Sequence, residues 1–239
     1  MSSSINSKVI ILAGGKGTRF NPFSFVIPKP LMPLNQNPII LYLIKSFKKY
    51  NFKNFLISTG YQSELIRTYL GTGKKFGVKI EYCDEAKPLG TAGPLYKMKK
   101  KIKLGEYFFL INGDVYTEIN FKEMLNFAKK NNYDVVVGYI KKETKNNFGV
   151  LNIEQNNIKS ITEKPKNKYN ISTGIYVIKN SKNLNVIPKN KFYTMPDLIS
   201  KFLSINLKVG AFKIDKYWMG IENMENLLKV EKRIKKSFK

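Results

Sequence analysis

The sequence contains no histidine and only one cysteine, Cys83, among its 239 residues. The absence of histidine removes the most common general base and the most common metal ligand of proteins. A single cysteine allows no internal disulfide bond, which is typical of proteins from a reducing compartment. Any metal ion would therefore be a hard cation bound by oxygen, and we expect Mg²⁺ or Mn²⁺ rather than zinc.

Long apolar runs are also absent. No stretch approaches the roughly 20 apolar residues that a membrane-spanning helix needs. Residues 1–8 lack the charged region, apolar core and cleavage site of a secretory signal. We therefore expect a cytoplasmic protein without a membrane partner. The length predicts a single domain over residues 1–239, with residues 1–7 as a flexible N-terminus.

Arginine is scarce, although the formal net charge is +25. Only Arg19, Arg67 and Arg233 occur, so lysine supplies nearly all of the 42 basic residues. Proteins that recognise nucleic acids favour arginine for its planar fork, and the lysines here are scattered along the chain. A nucleic-acid partner stays open as an alternative. We favour a lysine-rich surface that attracts small anions such as nucleotides and sugar phosphates.

Apolar runs of strand length alternate with helical patterns over the first two thirds of the chain. This alternation predicts an α/β domain with a mixed, mostly parallel central sheet flanked by helices. Ligands of such sheets bind beyond the carboxyl ends of the strands. The predicted strands are 9–13, 55–58, 79–82, 107–111, 134–140, 149–153, 158–162, 174–178 and 208–214, and the predicted helices are 38–50, 63–70, 93–101, 120–130, 196–204 and 223–236.

A glycine-rich segment, LAGGKGTR at 12–19, directly follows the first predicted strand. Glycines let backbone N–H groups surround phosphate oxygens, and Lys16 and Arg19 add positive charge. The spacing matches neither a P-loop nor a complete dinucleotide-binding fingerprint. An ordinary strand-to-helix turn would use similar glycines. Because arginine is so rare in this chain, Arg19 favours a phosphate site.

Charged residues in three further segments could reach the same crevice. Lys29 lies between two prolines, which stiffen the backbone and could direct its ammonium group at a phosphate. Asp114 follows the apolar strand at 107–111 and could hold Mg²⁺ together with phosphate and water oxygens. Glu163 and Lys164 follow another strand, where they could bind sugar hydroxyls and phosphate. Taken singly, each segment has an ordinary structural explanation. Lys29 could lie in a surface loop, Asp114 in a tight turn, and Glu163 with Lys164 in a solvated ion pair.

The order of these segments resembles that of the sugar-1-phosphate nucleotidyltransferases. The resemblance extends over about residues 8–230 and implies a Rossmann-like nucleotidyltransferase fold. It also implies an enzyme that joins a nucleoside triphosphate to a sugar 1-phosphate and releases pyrophosphate. The motifs that carry it lie at 14–19, 28–31, 88–93, 112–114, 148–149 and 163–165.

The resemblance implies a role for each matching position. Arg19, Lys29 and Asp114 would be catalytic, and Asp114 would also hold the magnesium ion. The nucleotide would contact Leu12, Ala13, Gly14, Gly15, Gly17, Thr18, Leu89, Gly90 and Thr91, and the sugar phosphate would contact Gly149, Glu163, Lys164 and Gly174.

One position departs from the family pattern. Many relatives carry Trp-x-Asp-Ile-Gly near the C-terminus, where the aspartate is a second metal ligand. Here Gly220 occupies the aspartate position after Trp218, and a carboxylate follows at Glu222. We predict that Glu222 completes the metal site, with Asp215 as a weaker candidate. If neither reached the metal, a weak enzyme or a regulatory subunit that binds nucleotide sugar would be the alternative.

Three segments bear on the identity of the nucleotide, and they point in different directions. Residues 88–95 are similar to guanylyltransferases of mannose 1-phosphate, and 195–198 are similar to those of amino-sugar phosphates. The altered C-terminal motif is instead similar to sugar-phosphate cytidylyltransferases. GTP is therefore the favoured substrate and CTP the alternative, with UTP and dTTP behind them. A homo-oligomer is left open.

Overall fold

A computed structural model describes residues 5–101 and 104–237 of the chain. Apart from short 3₁₀ turns, the elements within these residues are β1 (Val9–Ala13), β2 (Pro33–Leu34), β3 (Asn37–Pro38), α1 (Ile39–Lys49), β4 (Asn54–Thr59), α2 (Ser63–Leu70), β5 (Lys79–Asp84), α3 (Leu95–Lys101), β6 (Tyr107–Asn112), β7 (Val115–Thr117), α4 (Phe121–Lys130), β8 (Val135–Lys145), β9 (Val150–Glu154), β10 (Asn157–Thr162), β11 (Lys166–Lys179), α5 (Met195–Ser204), β12 (Val209–Lys213), β13 (Trp218–Gly220) and α6 (Met224–Ser237).

A central seven-stranded sheet has the order β12-β8-β11-β6-β1-β4-β5. Neighbouring strands are parallel, except that β11 runs antiparallel to both β6 and β8. Val9, Ile10 and Ile11 of β1 are completely buried, as expected for a central strand covered on both faces. The predicted mixed, mostly parallel sheet with flanking helices is confirmed.

Helices cover both faces of the sheet. On one face, α1, α2 and α4 bury apolar side chains against Val9 and Ile11 of β1. On the other face, α3 and α5 pack against Ile10 of β1. The alternation of side chains along a strand explains how one strand contributes to both cores. The C-terminal helix α6 packs separately, against Phe20, Met32 and neighbouring residues that follow the glycine-rich segment.

Two strands are longer than their sequence predicts. The strands β8 and β11 continue past the apolar core as a paired ribbon, in which Lys145 lies opposite Lys166. Our prediction ended β8 at residue 140 and began β11 at residue 174. The extra residues are polar and rich in lysine, so they carry no apolar pattern. Their strand conformation comes from hydrogen bonds between the two strands rather than from burial.

A hairpin formed by β9 and β10 lies beyond this ribbon. Cross-strand pairs join Ile153 to Ile158 and Leu151 to Ile161, which places four apolar side chains on one face. These side chains remain between 43% and 67% exposed. The opposite face carries polar pairs such as Asn152 with Ser160. The hairpin is therefore amphipathic, and its apolar face stays open to solvent.

The start of the chain joins the fold by residue 5. Ile5 forms a bridge with Phe52, and Ser7 is buried. Residues 1–4 of the segment that we predicted to be flexible lie outside the described residues. Among the described helices, none is long and apolar enough to cross a bilayer.

Candidate active site

The carboxyl ends of β1 and β6 bring two of the sequence motifs together. These strands are parallel neighbours, and Leu12 lies opposite Asn112. The N–H group of Gly113 donates to the carbonyl of Leu12 at 2.8 Å. A Cβ atom at position 113 would lie 2.6 Å from that carbonyl oxygen, so the approach requires glycine. The glycine-rich loop after β1 and Asp114 after β6 therefore lie side by side.

A short 3₁₀ turn at Lys29–Leu31 brings Lys29 against the glycine-rich loop. Gly17 adopts a left-handed conformation with φ of +64°, and a Cβ atom there would lie 2.8 Å from Cβ of Lys29. Only glycine combines this backbone angle with such a close approach. The predicted phosphate loop and the proline-flanked lysine are thus one packed unit.

Two ion pairs join the predicted catalytic and metal-binding residues. Nζ of Lys29 lies 2.5 Å from Oδ2 of Asp114, and this pair is largely buried. Nη1 of Arg19 lies 2.5 Å from Oε2 of Glu222, and this pair is exposed to solvent. Two cations and two carboxylates therefore meet in one place. Each cation is positioned to exchange its carboxylate for a phosphate oxygen.

The antiparallel pairing of β7 and β13 places Glu222 beside Asp114. Gly220 lies opposite Val115, and the N–H group of Ile221 donates to the carbonyl of Asp114 at 2.7 Å. A Cβ atom at Gly220 would meet no atom closer than 3.6 Å, so this position has space for a side chain. The alternative acid, Asp215, forms an ion pair with Lys213 and does not line the cleft.

These elements enclose an open cleft of about 500 Å³, within the usual range for a small-molecule site. The cleft contains all of the positions predicted for catalysis, nucleotide contact and metal binding. Its lining includes Leu12, Ala13, Gly14, Gly15, Gly17, Thr18, Arg19, Lys29, Leu89, Gly90, Thr91, Asp114 and Glu222. Lys16, Pro30, Glu85, Pro88, Asn112, Gly113 and Phe192 complete it.

Glu85 is a cleft residue that our sequence analysis missed. Its Oε1 accepts a hydrogen bond from the hydroxyl of Ser58 at 2.6 Å, and its Oε2 accepts one from the N–H group of Leu89 at 3.3 Å. Burial raises the pKa of the Glu85 carboxyl, partly offset by these two hydrogen bonds. A signal was present, because Glu85 directly follows β5, as Asp114 follows β6.

The loop at 88–93 is tied to a distant segment around Tyr193. The N–H group of Tyr193 donates to the carbonyl of Leu89 at 2.9 Å, and the N–H group of Ala92 donates to the carbonyl of Tyr193 at 2.9 Å. The hydroxyl of Thr91 accepts a hydrogen bond from the N–H group of Met195 at 2.7 Å. These contacts bring Phe192 to the cleft, and no sequence pattern indicated this.

The predicted sugar-phosphate residues are divided between two places. Gly174 packs against Asn112, since a Cβ atom there would lie 2.5 Å from Nδ2 of Asn112. Gly149, Glu163 and Lys164 lie together at the base of the hairpin formed by β9 and β10. The side chains of Glu163 and Lys164 are exposed. None of the four predicted sugar-phosphate positions lines the cleft. The structure therefore does not bring the hairpin residues to the nucleotide residues.

Comparisons with known proteins agree with this arrangement. A profile of the nucleotidyl transferase family matches residues 8–237. The chain belongs to this family. It is 35% identical over 227 residues to mannose-1-phosphate guanylyltransferase 1 of Arabidopsis thaliana, covering 90% of the chain and 61% of that protein. It is 32% identical over 232 residues to mannose-1-phosphate guanyltransferase of Yarrowia lipolytica, covering 92% of the chain and 62% of that protein.

A solved structure shares the fold over nearly its whole length. HddC from Yersinia pseudotuberculosis superimposes with a TM-score of 0.76 at 26% identity, covering 95% of this chain and 99% of that one. The chain thus covers nearly all of this solved chain, whereas it spans about three fifths of the two curated relatives.

The donor set suits the hard divalent cation that we expect for a member of this family. Asp114 and Glu222 supply carboxylate oxygens at the cleft, which Mg²⁺ and Mn²⁺ prefer. Within residues 5–101 and 104–237, no group of three or more His, Cys, Asp or Glu side chains is arranged to hold a metal ion. A cation held here would therefore need additional oxygens from phosphate groups and water.

Proposed function

We propose that the chain is a sugar-1-phosphate nucleotidyltransferase that condenses GTP with a sugar 1-phosphate, releasing pyrophosphate and a GDP-sugar. The observation that carries this proposal is the meeting of Arg19, Lys29, Asp114 and Glu222 at one glycine-lined cleft. Such a site complements a triphosphate, because the cations and backbone N–H groups match its negative charge. Family membership supports the same reaction class.

The proposed reaction is a displacement at the α-phosphorus of GTP. A phosphate oxygen of the sugar 1-phosphate forms a bond to this phosphorus, while the bond to the oxygen that bridges the α- and β-phosphates breaks. The electron pair leaves with pyrophosphate. The attacking phosphate is already ionised and pyrophosphate is a good leaving group, so no general base is needed. Positioning and charge stabilisation can supply the catalysis, which agrees with a chain that lacks histidine.

Lys29 and Arg19 would offset the charge that develops on the oxygens around the α-phosphorus. Lys29 is the better shielded of the two, and a charge in a less polar environment interacts more strongly with the reacting oxygens. Asp114 and Glu222 would hold Mg²⁺, which supplies positive charge to the triphosphate when bound. Binding of the charged substrate would separate both ion pairs.

Glu85 supports GTP over CTP. An ionised carboxylate presents two acceptor oxygens, and the edge of guanine presents two adjacent donors, N1–H and N2–H₂. Cytosine presents one amino donor beside a ring acceptor, so its pairing with a carboxylate is poorer. Each oxygen of Glu85 already accepts one hydrogen bond and keeps acceptor capacity for another. The names of the two curated relatives also support guanylyl transfer to mannose 1-phosphate.

A panel of substrates tests the proposal. GTP, CTP, UTP and dTTP are each combined with mannose 1-phosphate and other hexose and hexosamine 1-phosphates, and Mg²⁺-dependent pyrophosphate release is measured. We expect the highest kcat/KM with GTP. Preference for CTP would favour the cytidylyltransferase alternative. Nucleotide-sugar binding without turnover of any pair would favour a regulatory subunit. We place the reaction in the cytoplasm, on the basis of the low cysteine content.

A further inference from the structure

Phe192 is a large aromatic residue that lines the cleft and remains exposed. It is 67% exposed, although it lines the same cleft as the glycine-rich loop and Glu85. Large apolar side chains that stay exposed inside a ligand cleft often serve as contact surfaces for the ligand. Glycines and charged groups make up much of the remaining lining, so Phe192 is the aromatic surface of this cleft among the described residues.

The backbone around Phe192 is held by several contacts to the loop at 88–93. The carbonyl of Tyr193 accepts hydrogen bonds from the N–H groups of Ala92 and Gly93, both at 2.9 Å. Gly90 has a φ of +77°, and a Cβ atom there would lie 2.6 Å from this same carbonyl oxygen. The backbone next to Phe192 is therefore held by direct packing between the two segments, and Phe192 lines the cleft together with Leu89 and Gly90.

The peptide groups of Leu89 connect Phe192 to Glu85. The N–H group of Leu89 donates to Glu85, and the carbonyl of Leu89 accepts from Tyr193, the neighbour of Phe192. The carboxylate of Glu85 and the backbone next to Phe192 are thus bound to the same residue of this loop. A nucleobase that placed its donor edge on Glu85 would lie next to this loop, within the part of the cleft that Phe192 lines.

We propose that Phe192 stacks on the nucleobase and, with Glu85, forms the guanine subsite. This inference rests on the proposed function. The carboxylate would recognise the edge of the base, and the ring would contact its face. Stacking on an aromatic side chain is favourable for every base and depends little on sequence. Phe192 would therefore contribute affinity for the nucleotide, whereas Glu85 would contribute selectivity.

The test is equilibrium binding of GTP by calorimetry to the wild type, Phe192→Ala, Phe192→Tyr and Phe25→Ala. Phe25 is a matched control, because it is also 67% exposed and does not line the cleft. We expect Phe192→Ala to raise the Kd for GTP about 5- to 100-fold. Phe192→Tyr should keep near wild-type affinity because its ring can stack equally well, and Phe25→Ala should also bind normally.

Inorganic triphosphate, which carries no base, separates stacking from a structural effect. Phe192→Ala should bind triphosphate as the wild type does. An equal loss for triphosphate and GTP would overturn the stacking role, and so would unchanged GTP binding by Phe192→Ala. In both cases GTP still binds to the wild type, so the proposed function survives. If the wild type bound no nucleotide, the proposed function itself would fall, and the stacking proposal with it.

Discussion

The proposed nucleotide end of the site and its proposed sugar-phosphate end differ in construction. At the proposed nucleotide end, the adjacent parallel strands β6, β1, β4 and β5 bring the glycine-rich loop, Glu85 and Asp114 to one cleft. At the other end, Gly149, Glu163 and Lys164 lie where an exposed hairpin joins a polar ribbon. Strand register thus sets the positions of the residues at the first end, whereas the residues at the second end are not held by packing in the core.

This difference predicts different mobility. A segment with few buried apolar contacts opens at lower free energy than the core strands. The hairpin formed by β9 and β10 keeps both faces exposed, so we expect it to move relative to the sheet. Residues at its base could then approach the cleft only when a sugar phosphate is present. Substitutions at the two ends should therefore differ in size and in the substrate that they affect.

The largest effect is expected at Lys29. Lys29→Ala should lower kcat about 10²- to 10³-fold, because a shielded cation beside the reacting phosphate is lost. Far-UV circular dichroism should remain that of the wild type. Lys79→Ala is the control, since Lys79 pairs with Glu81 on an exposed edge strand away from the cleft. Full activity in Lys29→Ala would remove the basis of the proposed mechanism.

The next effect concerns metal binding. Glu222→Gln should weaken Mn²⁺ binding in the presence of GTP about 10-fold or more, because one charged ligand is lost. Electron paramagnetic resonance of free Mn²⁺ measures this directly. Asp215→Asn is the control, as Asp215 lies outside the cleft lining.

A second substitution, at Gly220, tests the same metal site by adding a carboxylate ligand. Because this position has space for a side chain, Gly220→Asp in the Glu222→Gln background should restore Mn²⁺ binding. Wild-type affinity in Glu222→Gln alone would show that Glu222 serves Arg19 rather than the metal.

A smaller effect is expected from Glu85→Gln. The KM for GTP should rise about 5- to 100-fold, the range for loss of a bidentate base contact. The KM for UTP should fall, because an amide presents one donor and one acceptor to the N3–H and O4 of uracil. Asp84→Asn is the matched control, as Asp84 pairs with Arg67 outside the cleft. Steady-state kinetics with both nucleotides measures these changes. An unaltered preference for GTP over UTP would contradict base recognition by Glu85.

The same residue predicts a pH dependence. Burial raises the pKa of Glu85 above its ordinary value. Protonation removes an acceptor that guanine needs, so the KM for GTP should increase as the pH falls through this raised pKa. At higher pH the carboxylate is ionised, and the KM for GTP should reach its lowest value. The acid-side increase should be missing from Glu85→Gln, and its persistence there would assign it to another group.

The smallest effect is expected at the hairpin. Lys164→Ala should raise the KM for the sugar phosphate about 2- to 5-fold, the range for an exposed charged contact, and leave the KM for GTP unchanged. Lys159→Ala is a matched control, because both lysines are 53% exposed and each pairs with a glutamate. An unchanged KM for the sugar phosphate in Lys164→Ala would place the sugar site elsewhere.

The sequence by itself determined the layered α/β fold and most of the nucleotide end. Continuous apolar runs indicated buried parallel strands, and glycines directly after β1 indicated a phosphate loop. Both are local signals, since they depend on residues adjacent in the chain. The strand-end rule also predicted that Asp114 lies at the crevice, and the register of β1 and β6 does bring its loop beside the glycine-rich one.

Only the tertiary structure decided which distant residues join these local features. It placed Glu222 in the cleft and Asp215 outside it, and it brought Phe192 to the loop at 88–93. It also separated the hairpin residues from the nucleotide residues. These outcomes depend on strand pairing and packing between segments far apart in the chain, such as β7 with β13. Single-sequence patterns carry no record of those contacts.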